Sequence, residues 1–125
     1  MAQKILVVED EFLSRDNLCK FLGGEGYIIR EASNGAEALE KIAAESFDLV
    51  VTDFVMPHID GLRLVDLVHD KWPQLPVILI TGYLSSNAGH IILEGRAAEI
   101  ITKPITLDEL LKAVKRVLLA KPVRS

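Results

Sequence analysis

In the segment LVVTDFVMPHIDG, residues 49–61, an apolar run ends abruptly in an aspartate, Asp53. The run Leu49–Thr52 shows almost no polar alternation, which is typical of a parallel strand covered on both faces. A second segment near the start of the chain has the same pattern, because the apolar run Ile5–Val8 is followed at once by Glu9-Asp10. Carboxylates at the ends of two such strands need a chemical explanation.

Short apolar runs alternate with longer segments of helical period along the chain. Two of the helical segments begin with an N-cap signature, in which Asn34 precedes Glu37, and Thr106 precedes Glu109, by three residues. Right-handed crossovers between parallel strands then predict a doubly wound α/β fold of five strands and five helices. The predicted strands are Ile5–Val8, Tyr27–Ile29, Leu49–Thr52, Val77–Ile80 and Ile100–Ile101.

The C-terminal third of the chain completes the predicted domain. A fourth helix is predicted over about Ser86–Glu94, although Gly89 interrupts it. One domain is expected over residues 1–120, followed by a tail, residues 121–125, that is compatible with the start of a linker. The last helix is predicted to present one apolar face at helical spacing, formed by Leu107, Leu110, Leu111, Val114, Val117 and Leu118.

The composition restricts the class of protein. A net charge of -4 disfavours direct binding to nucleic acid, because phosphate backbones require a basic surface. No apolar stretch approaches the roughly 20 residues that a membrane-spanning helix needs. The first residues lack the apolar core of a secretion signal. We therefore expect a cytoplasmic protein with no direct contact to membranes or nucleic acid.

Polar side chains follow four of the five predicted strands. Ligands of open parallel sheets bind beyond the carboxyl ends of the strands, so these side chains should meet at one edge. The second strand is the exception, because Arg30 and Glu31 follow it without an obvious role. The candidate side chains are Glu9 and Asp10 after the first strand, Asp53 after the third, Thr81 after the fourth, and Thr102, Lys103 and Pro104 after the fifth.

This group of side chains suits phosphoryl chemistry. Several carboxylates brought together repel one another, and a divalent cation removes that conflict. The available ligands are hard oxygens, which favour Mg²⁺ over Zn²⁺. A lysine and a hydroxyl are suitable partners for phosphate oxygens, and a carboxylate can accept a phosphoryl group as an acyl phosphate. The edge is predicted to hold an aspartate nucleophile, a metal and two phosphate-oxygen ligands.

With these motifs the chain resembles the receiver domains of two-component response regulators, in particular single-domain, chemotaxis-regulator-like receivers. The resemblance extends from Lys4 to about Leu119. It rests on the acidic pair Glu9-Asp10, the loop DFVMPHIDG, the sequence ITG after the fourth strand and TKP after the fifth. It implies a flavodoxin-like parallel sheet with the strand order 2-1-3-4-5.

The resemblance also implies a role for each candidate residue. Asp53 is the phospho-acceptor, and Thr81 and Lys103 contact the phosphoryl group. The bond from Lys103 to Pro104 is usually cis in the family, a state that is plausible only before proline. The implied protein ligands of Mg²⁺ are Asp10 and Asp53 directly, Glu9 through water, and the backbone carbonyl of Val55.

Two further roles concern the switch and its lifetime. Ile100 stands where the family commonly has a tyrosine or phenylalanine that reports phosphorylation, so we expect a muted or different switch. Arg96 likewise replaces a small glycine. Val55 and Tyr83 lie two residues past Asp53 and Thr81, at positions that tune hydrolysis of the phosphoryl group in the family. Val55 cannot orient a water and the ring of Tyr83 could shield the phosphoryl group, which predicts slow self-dephosphorylation.

The implied partners are those of a signalling module. A histidine kinase or histidine phosphotransfer protein would donate the phosphoryl group. An output protein, or an effector domain missing from this chain, would bind the face made by the fourth helix, fifth strand and fifth helix. Phe12 and Leu13 could belong to the core or to the face that docks the donor. The domain is not expected to be an enzyme, because it would catalyse transfer and hydrolysis only on itself.

Other classes of protein fit the sequence less well. A haloacid-dehalogenase-like phosphatase needs a second aspartate two residues after the nucleophile, where this chain has Val55. A flavodoxin-like cofactor carrier needs a first loop rich in Ser, Thr and Gly, but that loop is acidic here. A degenerate receiver that acts only as a binding module stays the alternative, although every chemical position is filled.

Overall fold

The computed structural model describes residues 2–54, 59–82 and 96–120, and its elements alternate as predicted. The predicted helix over about Ser86–Glu94 lies outside these residues. The elements are β1 (Lys4–Val8), α1 (Phe12–Gly24), β2 (Ile28–Ala32), α2 (Gly35–Ala44), β3 (Leu49–Asp53), α3 (Gly61–Lys71), β4 (Val77–Thr81), β5 (Glu99–Thr102) and a C-terminal helix (Leu107–Ala120).

The five strands form one parallel sheet with the order β2-β1-β3-β4-β5. This is the order that the family resemblance implies. The order turns back at β1, so the chain winds outward in both directions from the middle of the sheet. The crevice for a ligand in such a sheet lies at the carboxyl ends of the strands on either side of that reversal, here β1 and β3.

Apolar side chains cover both faces of the sheet. One core cluster joins α2 and α3 to the sheet, and a second joins α1 and the C-terminal helix to the opposite face. Every residue of β3 and β4 is buried, as their uninterrupted apolar sequences predict. None of the helices in the described part of the chain is long and apolar enough to cross a bilayer. The C-terminal helix buries Leu110, Ala113, Val114, Val117 and Leu118.

The second strand differs from its prediction. It spans Ile28–Ala32, so Arg30 and Glu31 lie within the strand and do not follow it. This strand forms an edge of the sheet and pairs only with β1. The side chains of an edge strand are partly exposed to solvent, so polar residues can occupy the strand while its backbone still pairs with the neighbouring strand. The short apolar run therefore marked only the beginning of the strand.

In three of the described helices, a side-chain oxygen of the N-cap residue accepts a backbone amide of the first turn. The amide of Glu37 donates to Oδ1 of Asn34 at 2.8 Å, and the amide of Glu109 donates to Oγ1 of Thr106 at 3.0 Å. Both bonds confirm the predicted caps. Asp60 caps α3 in the same way, because its Oδ1 accepts the amide of Arg63 at 2.9 Å. This cap fixes the start of the helix that follows Asp53 in the chain.

Two large apolar side chains at the start of α1 lie on the surface. Phe12 is 60% exposed and Leu13 is 74% exposed. The alternative that placed them in the core is therefore wrong. Leu18, one turn further along α1, is half-buried against the core cluster. The start of α1 therefore presents two consecutive apolar side chains to solvent.

Candidate functional site

Three carboxylates meet at the carboxyl ends of β1 and β3. Glu9, Asp10 and Asp53 each offer one oxygen, and these oxygens lie within 4.8 Å of one another. The register of the sheet explains the cluster, because Val8 pairs with Thr52 and the next residues of both strands are acidic. The sequence prediction that these acids share one edge is confirmed.

Burial differs among the three acids. Asp53 is 8% exposed and Glu9 is 7% exposed, whereas Asp10 lies on the surface. Asp53 is also the last residue of β3, where the sequence had placed it just after the strand. Asp53 pairs with Ile80 of β4, whereas the pairing of β3 with β1 ends one residue earlier, at Thr52, and only a small part of Asp53 contacts solvent.

Lys103 provides the positive charge of the site. Its Nζ lies 3.1 Å from Oδ1 of Asp53. Its backbone amide donates to the carbonyl of Thr81 at 2.7 Å, which holds the loop after β5 against the end of β4. The peptide bond from Lys103 to Pro104 is cis, as the resemblance implied.

Thr81 lies beside the aspartate on the neighbouring strand. Asp53 pairs with Ile80, so Thr81 is one residue further along β4 at the same edge of the sheet. Thr81 is buried, with only 2% of its surface exposed. The chain thus places a hydroxyl group, an ammonium group and a carboxylate at three adjacent strand ends.

The pKa of Glu9 is raised in the acidic cluster. Burial raises the pKa of Glu9 from 4.5 to about 7, and the negative charges of Asp53 and Asp10 add to this effect. The amide of Glu11, which donates to Oε1 of Glu9 at 3.1 Å, and the ammonium of Lys103 act in the opposite direction. Burial therefore outweighs these two favourable interactions in setting the pKa of Glu9.

The donor set fits a magnesium ion. It consists of carboxylate oxygens at an exposed edge, with no thiolate or imidazole among the three residues of the cluster. A divalent cation would lower the cost of keeping a buried carboxylate ionised. Val55, whose backbone carbonyl was predicted as a further ligand, lies outside the described residues, as does Tyr83.

Two residues at which the chain departs from the family lie away from the acidic cluster, one before β5 and one within it. Ile100 occupies the second position of β5, is half-buried and packs against the core cluster of α2 and α3. Arg96, which replaces the family glycine, places its Nη1 at 2.9 Å from Oδ1 of Asp66 on α3. This ion pair connects the segment before β5 to a helix that the sequence did not predict as its neighbour.

Arg15 is a residue near the site to which the sequence assigned no role. Its guanidinium donates to the backbone carbonyl of Glu9 at 2.8 Å. The contact joins the helix after the acidic turn to the turn itself. No sequence motif marks it, because an arginine on the first helix has the same local signature whether it faces solvent or the turn.

The chain is similar in sequence and in fold to known receiver proteins. The model of the response regulator receiver domain family matches residues 5–115. Response regulator MprA of Mycobacterium ulcerans is 34% identical over 94% of this chain and 51% of its own length. Receiver protein CpdR of Brucella abortus is 33% identical over 94% of this chain and 98% of its own length. Thus the chain spans about half the length of MprA and nearly all of CpdR.

A solved structure gives the same result. Response regulator TrrA from Thermotoga maritima, in complex with Mg²⁺-BeF, superimposes with a TM-score of 0.82 at 37% identity. The match covers 92% of this chain and 98% of TrrA. The chain belongs to the response regulator receiver domain family and is a receiver module of two-component signal transduction.

Proposed function

We propose that Asp53 is the residue that accepts the phosphoryl group in this receiver domain. The observation that supports the proposal is the position of its carboxylate, which lies within 4.8 Å of an oxygen of Glu9 and of Asp10 and 3.1 Å from Nζ of Lys103. Phosphoryl transfer is catalysed mainly by positioning and by neutralising charge on the phosphoryl oxygens. This edge of the sheet supplies positioning, because its side chains lie at or next to the ends of paired strands. It supplies charge neutralisation through the ammonium of Lys103.

The proposed step forms an acyl phosphate. A carboxylate oxygen of Asp53 attacks the phosphorus of the donor, and a new O–P bond forms. The bond from phosphorus to the donor breaks, and the leaving group, an imidazole nitrogen or acetate, keeps the electron pair. Lys103 and the hydroxyl of Thr81 are suited to hold two of the phosphoryl oxygens.

Glu9, Asp10, Asp53 and the backbone carbonyl of Val55 are proposed to hold Mg²⁺. The bound ion would supply charge neutralisation for the carboxylates and for the phosphoryl oxygens. The TrrA structure, which contains Mg²⁺-BeF, supports this assignment by similarity. The raised pKa of Glu9 is a second support, because a cation at this position would relieve the cost of ionising that carboxylate.

The proposed partners are a donor and a reader. A histidine kinase or histidine phosphotransfer protein would donate, and the exposed Phe12 and Leu13 on α1 are suited to contact it. An output protein, or an effector domain, would bind the face that includes β5 and the C-terminal helix. Because the domain would act only on its own Asp53, we propose a regulatory role and no enzymatic activity toward other substrates.

Intact-mass measurement after incubation with acetyl phosphate tests the assignment. One added phosphate is expected in Mg²⁺, and none for Asp53→Asn or for the parent protein in excess EDTA. Asp70→Asn is the matched control, because Asp70 is exposed on α3 and distant in sequence from the site. Labelling of Asp53→Asn equal to that of the parent would contradict the assignment. No labelling of the parent would favour the binding-module alternative.

A further inference from the structure

The Arg15 side chain connects three parts of the chain around the acidic turn. Its Nη1 donates to the carbonyl of Glu9 at 2.8 Å, and its Nε donates to Oε1 of Glu31 on β2 at 2.7 Å. The guanidinium also lies 5.5 Å from the centre of the Phe12 ring. The side chain is only 13% exposed, which is low for an arginine on the first helix of a small domain.

The turn that Arg15 contacts carries two of the three clustered acids. The amide of Glu9 donates to the carbonyl of Ala32 at 3.1 Å, and the amide of Glu11 donates to Oε1 of Glu9 at 3.1 Å. The Glu9 carbonyl belongs to the peptide unit that joins Glu9 to Asp10. Because a peptide unit is planar, the orientation of this carbonyl also sets the direction in which the chain enters Asp10.

A guanidinium is well suited to hold such a carbonyl in place. It is planar and permanently charged, and its fixed donor geometry lets it bind two acceptors at once. Hydrogen bonds from a charged donor are stronger than those between neutral groups. The Glu31 carboxylate anchors the guanidinium on β2, whose strand pairing with β1 is part of the rigid sheet.

We propose that Arg15 is a positioning residue for the metal site, and that its bond to the Glu9 carbonyl orients the turn so that Asp10 and Glu9 face Asp53. The inference rests on the proposed function, in which these three acids hold Mg²⁺. Arg15 itself contacts no metal ligand atom in this scheme and acts through the backbone. Residues that orient ligands in this way typically affect metal affinity by about 10- to 100-fold.

Calorimetric titration of the full chain with Mg²⁺ tests the inference. Arg15→Met is expected to weaken Mg²⁺ binding at least about tenfold, and Arg15→Lys, which keeps the charge but loses the fork, by a smaller factor. Arg116→Met is the matched control. It removes another arginine–glutamate ion pair, between Arg116 of the C-terminal helix and Glu99 of β5, away from the acidic turn.

Two further readouts separate positioning from general destabilisation. Thermal unfolding of Arg15→Met and Arg116→Met measures the loss of stability in each variant, and only Arg15→Met should bind Mg²⁺ more weakly when both are titrated well below their unfolding temperatures. The phosphorylation rate of Arg15→Met with acetyl phosphate should return to the parent value at saturating Mg²⁺. In the metal-free protein, the amide of Glu11 should exchange faster in Arg15→Met, because the backbone of the turn is no longer held at the Glu9 carbonyl.

The outcomes distinguish the inference from the function on which it rests. A parent protein that binds no Mg²⁺ would contradict the proposed metal site. If the parent binds Mg²⁺ and Arg15→Met binds it with equal affinity, only the positioning role of Arg15 is overturned. If Arg15→Met does not fold, Glu31→Met gives the answer, because it removes the oxygen that anchors the guanidinium. Mg²⁺ binding that is about three- to tenfold weaker supports the inference, and unchanged binding overturns it.

Discussion

The ammonium nitrogen of Lys103 lies 3.1 Å from Oδ1 of Asp53, although one residue follows β5 and the other ends β3. Strand β4 lies between them in the sheet. The loop after β5 bends over the end of β4, where the amide of Lys103 donates to the carbonyl of Thr81. The ammonium therefore lies beside the carboxylate that we propose as the phospho-acceptor.

Lys103→Ala should separate the response to phosphorylation from metal binding. We expect the variant to keep its fold and to bind Mg²⁺, but to lose most of the structural change on phosphorylation, because a phosphoryl oxygen loses its charged partner. Asp10→Ala should weaken Mg²⁺ binding instead. Amide NMR spectra with and without beryllofluoride, together with Mg²⁺ titrations, measure both effects. Parent-like behaviour of both variants would mean that the site has been misassigned.

The stability of the metal-free protein should fall as the pH rises toward neutral. The folded-state pKa of Glu9, about 7, lies above its ordinary value of 4.5, so the folded protein holds a proton that the unfolded chain releases. Stability from this group is present at low pH and is lost as the pH rises between these values. Urea unfolding in EDTA at about pH 5 and about pH 8 measures the loss.

Glu9→Gln is the control for this pH dependence, because the amide has nearly the same shape but does not titrate. Its unfolding free energy should change less between the two pH values than that of the parent. Excess Mg²⁺ should also reduce the pH dependence of the parent. A steeper loss of stability in Glu9→Gln than in the parent would show that another group dominates in this pH range.

Gly61→Ala should destabilise the loop that follows Asp53. A β-carbon at this position would meet the backbone carbonyl of Asp53 and would lie 2.7 Å from the α-carbon of Phe54. The amide of Gly61 also donates to the carbonyl of Phe54 at 2.7 Å, so the two backbones cannot move apart without losing that bond. We expect a loss of about 1–3 kcal/mol in urea unfolding, with slower phosphorylation.

Gly24→Ala is the matched control for this substitution. Gly24 ends α1, and a β-carbon built there meets no atom within 4 Å. Alanine has a higher helix propensity than glycine, so this variant should be neutral or slightly more stable. Equal destabilisation by the two substitutions would exclude the close backbone approach as the cause.

Ile100 should make the switch at the output face differ from that of aromatic-containing receivers. We expect Thr81 to move toward the phosphoryl group without a ring that follows it, because the side chain at the second position of β5 is aliphatic. Structures of the free and beryllofluoride-bound protein measure the movement. A large inward swing centred on Ile100 would contradict this expectation.

Self-dephosphorylation should be slow. Val55 has no polar side-chain group to orient a water, and the ring of Tyr83 could shield the phosphoryl group. The double variant Val55→Asn, Tyr83→Glu should speed hydrolysis, and even a tenfold gain needs only about 1.4 kcal/mol off the barrier. Decay of the phosphorylated species, followed by mass, measures the rate. If the phosphorylated parent has a half-life of seconds, or if the double variant is hydrolysed no faster, Val55 and Tyr83 do not control the lifetime of the phosphoryl group.

The sequence alone predicted five parallel strands. Three of them, β1, β3 and β4, have uninterrupted apolar sequences because they are buried on both faces. The sequence also predicted that the acids after β1 and at the end of β3 meet, because both follow such runs. The edge strand β2 was predicted only in part. Arg30 and Glu31 belong to it, and a strand with one exposed edge need not be apolar.

The tertiary structure decided which of these side chains touch and how they are charged. Pairing of β1 with β3 brought Glu9 and Asp53 together, and their common burial raised the pKa of Glu9 to about 7. The tertiary structure also placed Phe12 on the surface and brought the Arg15 guanidinium into contact with the Glu9 carbonyl. These results depend on contacts between residues distant in the chain, and a local pattern does not contain the distances or the burial that set them.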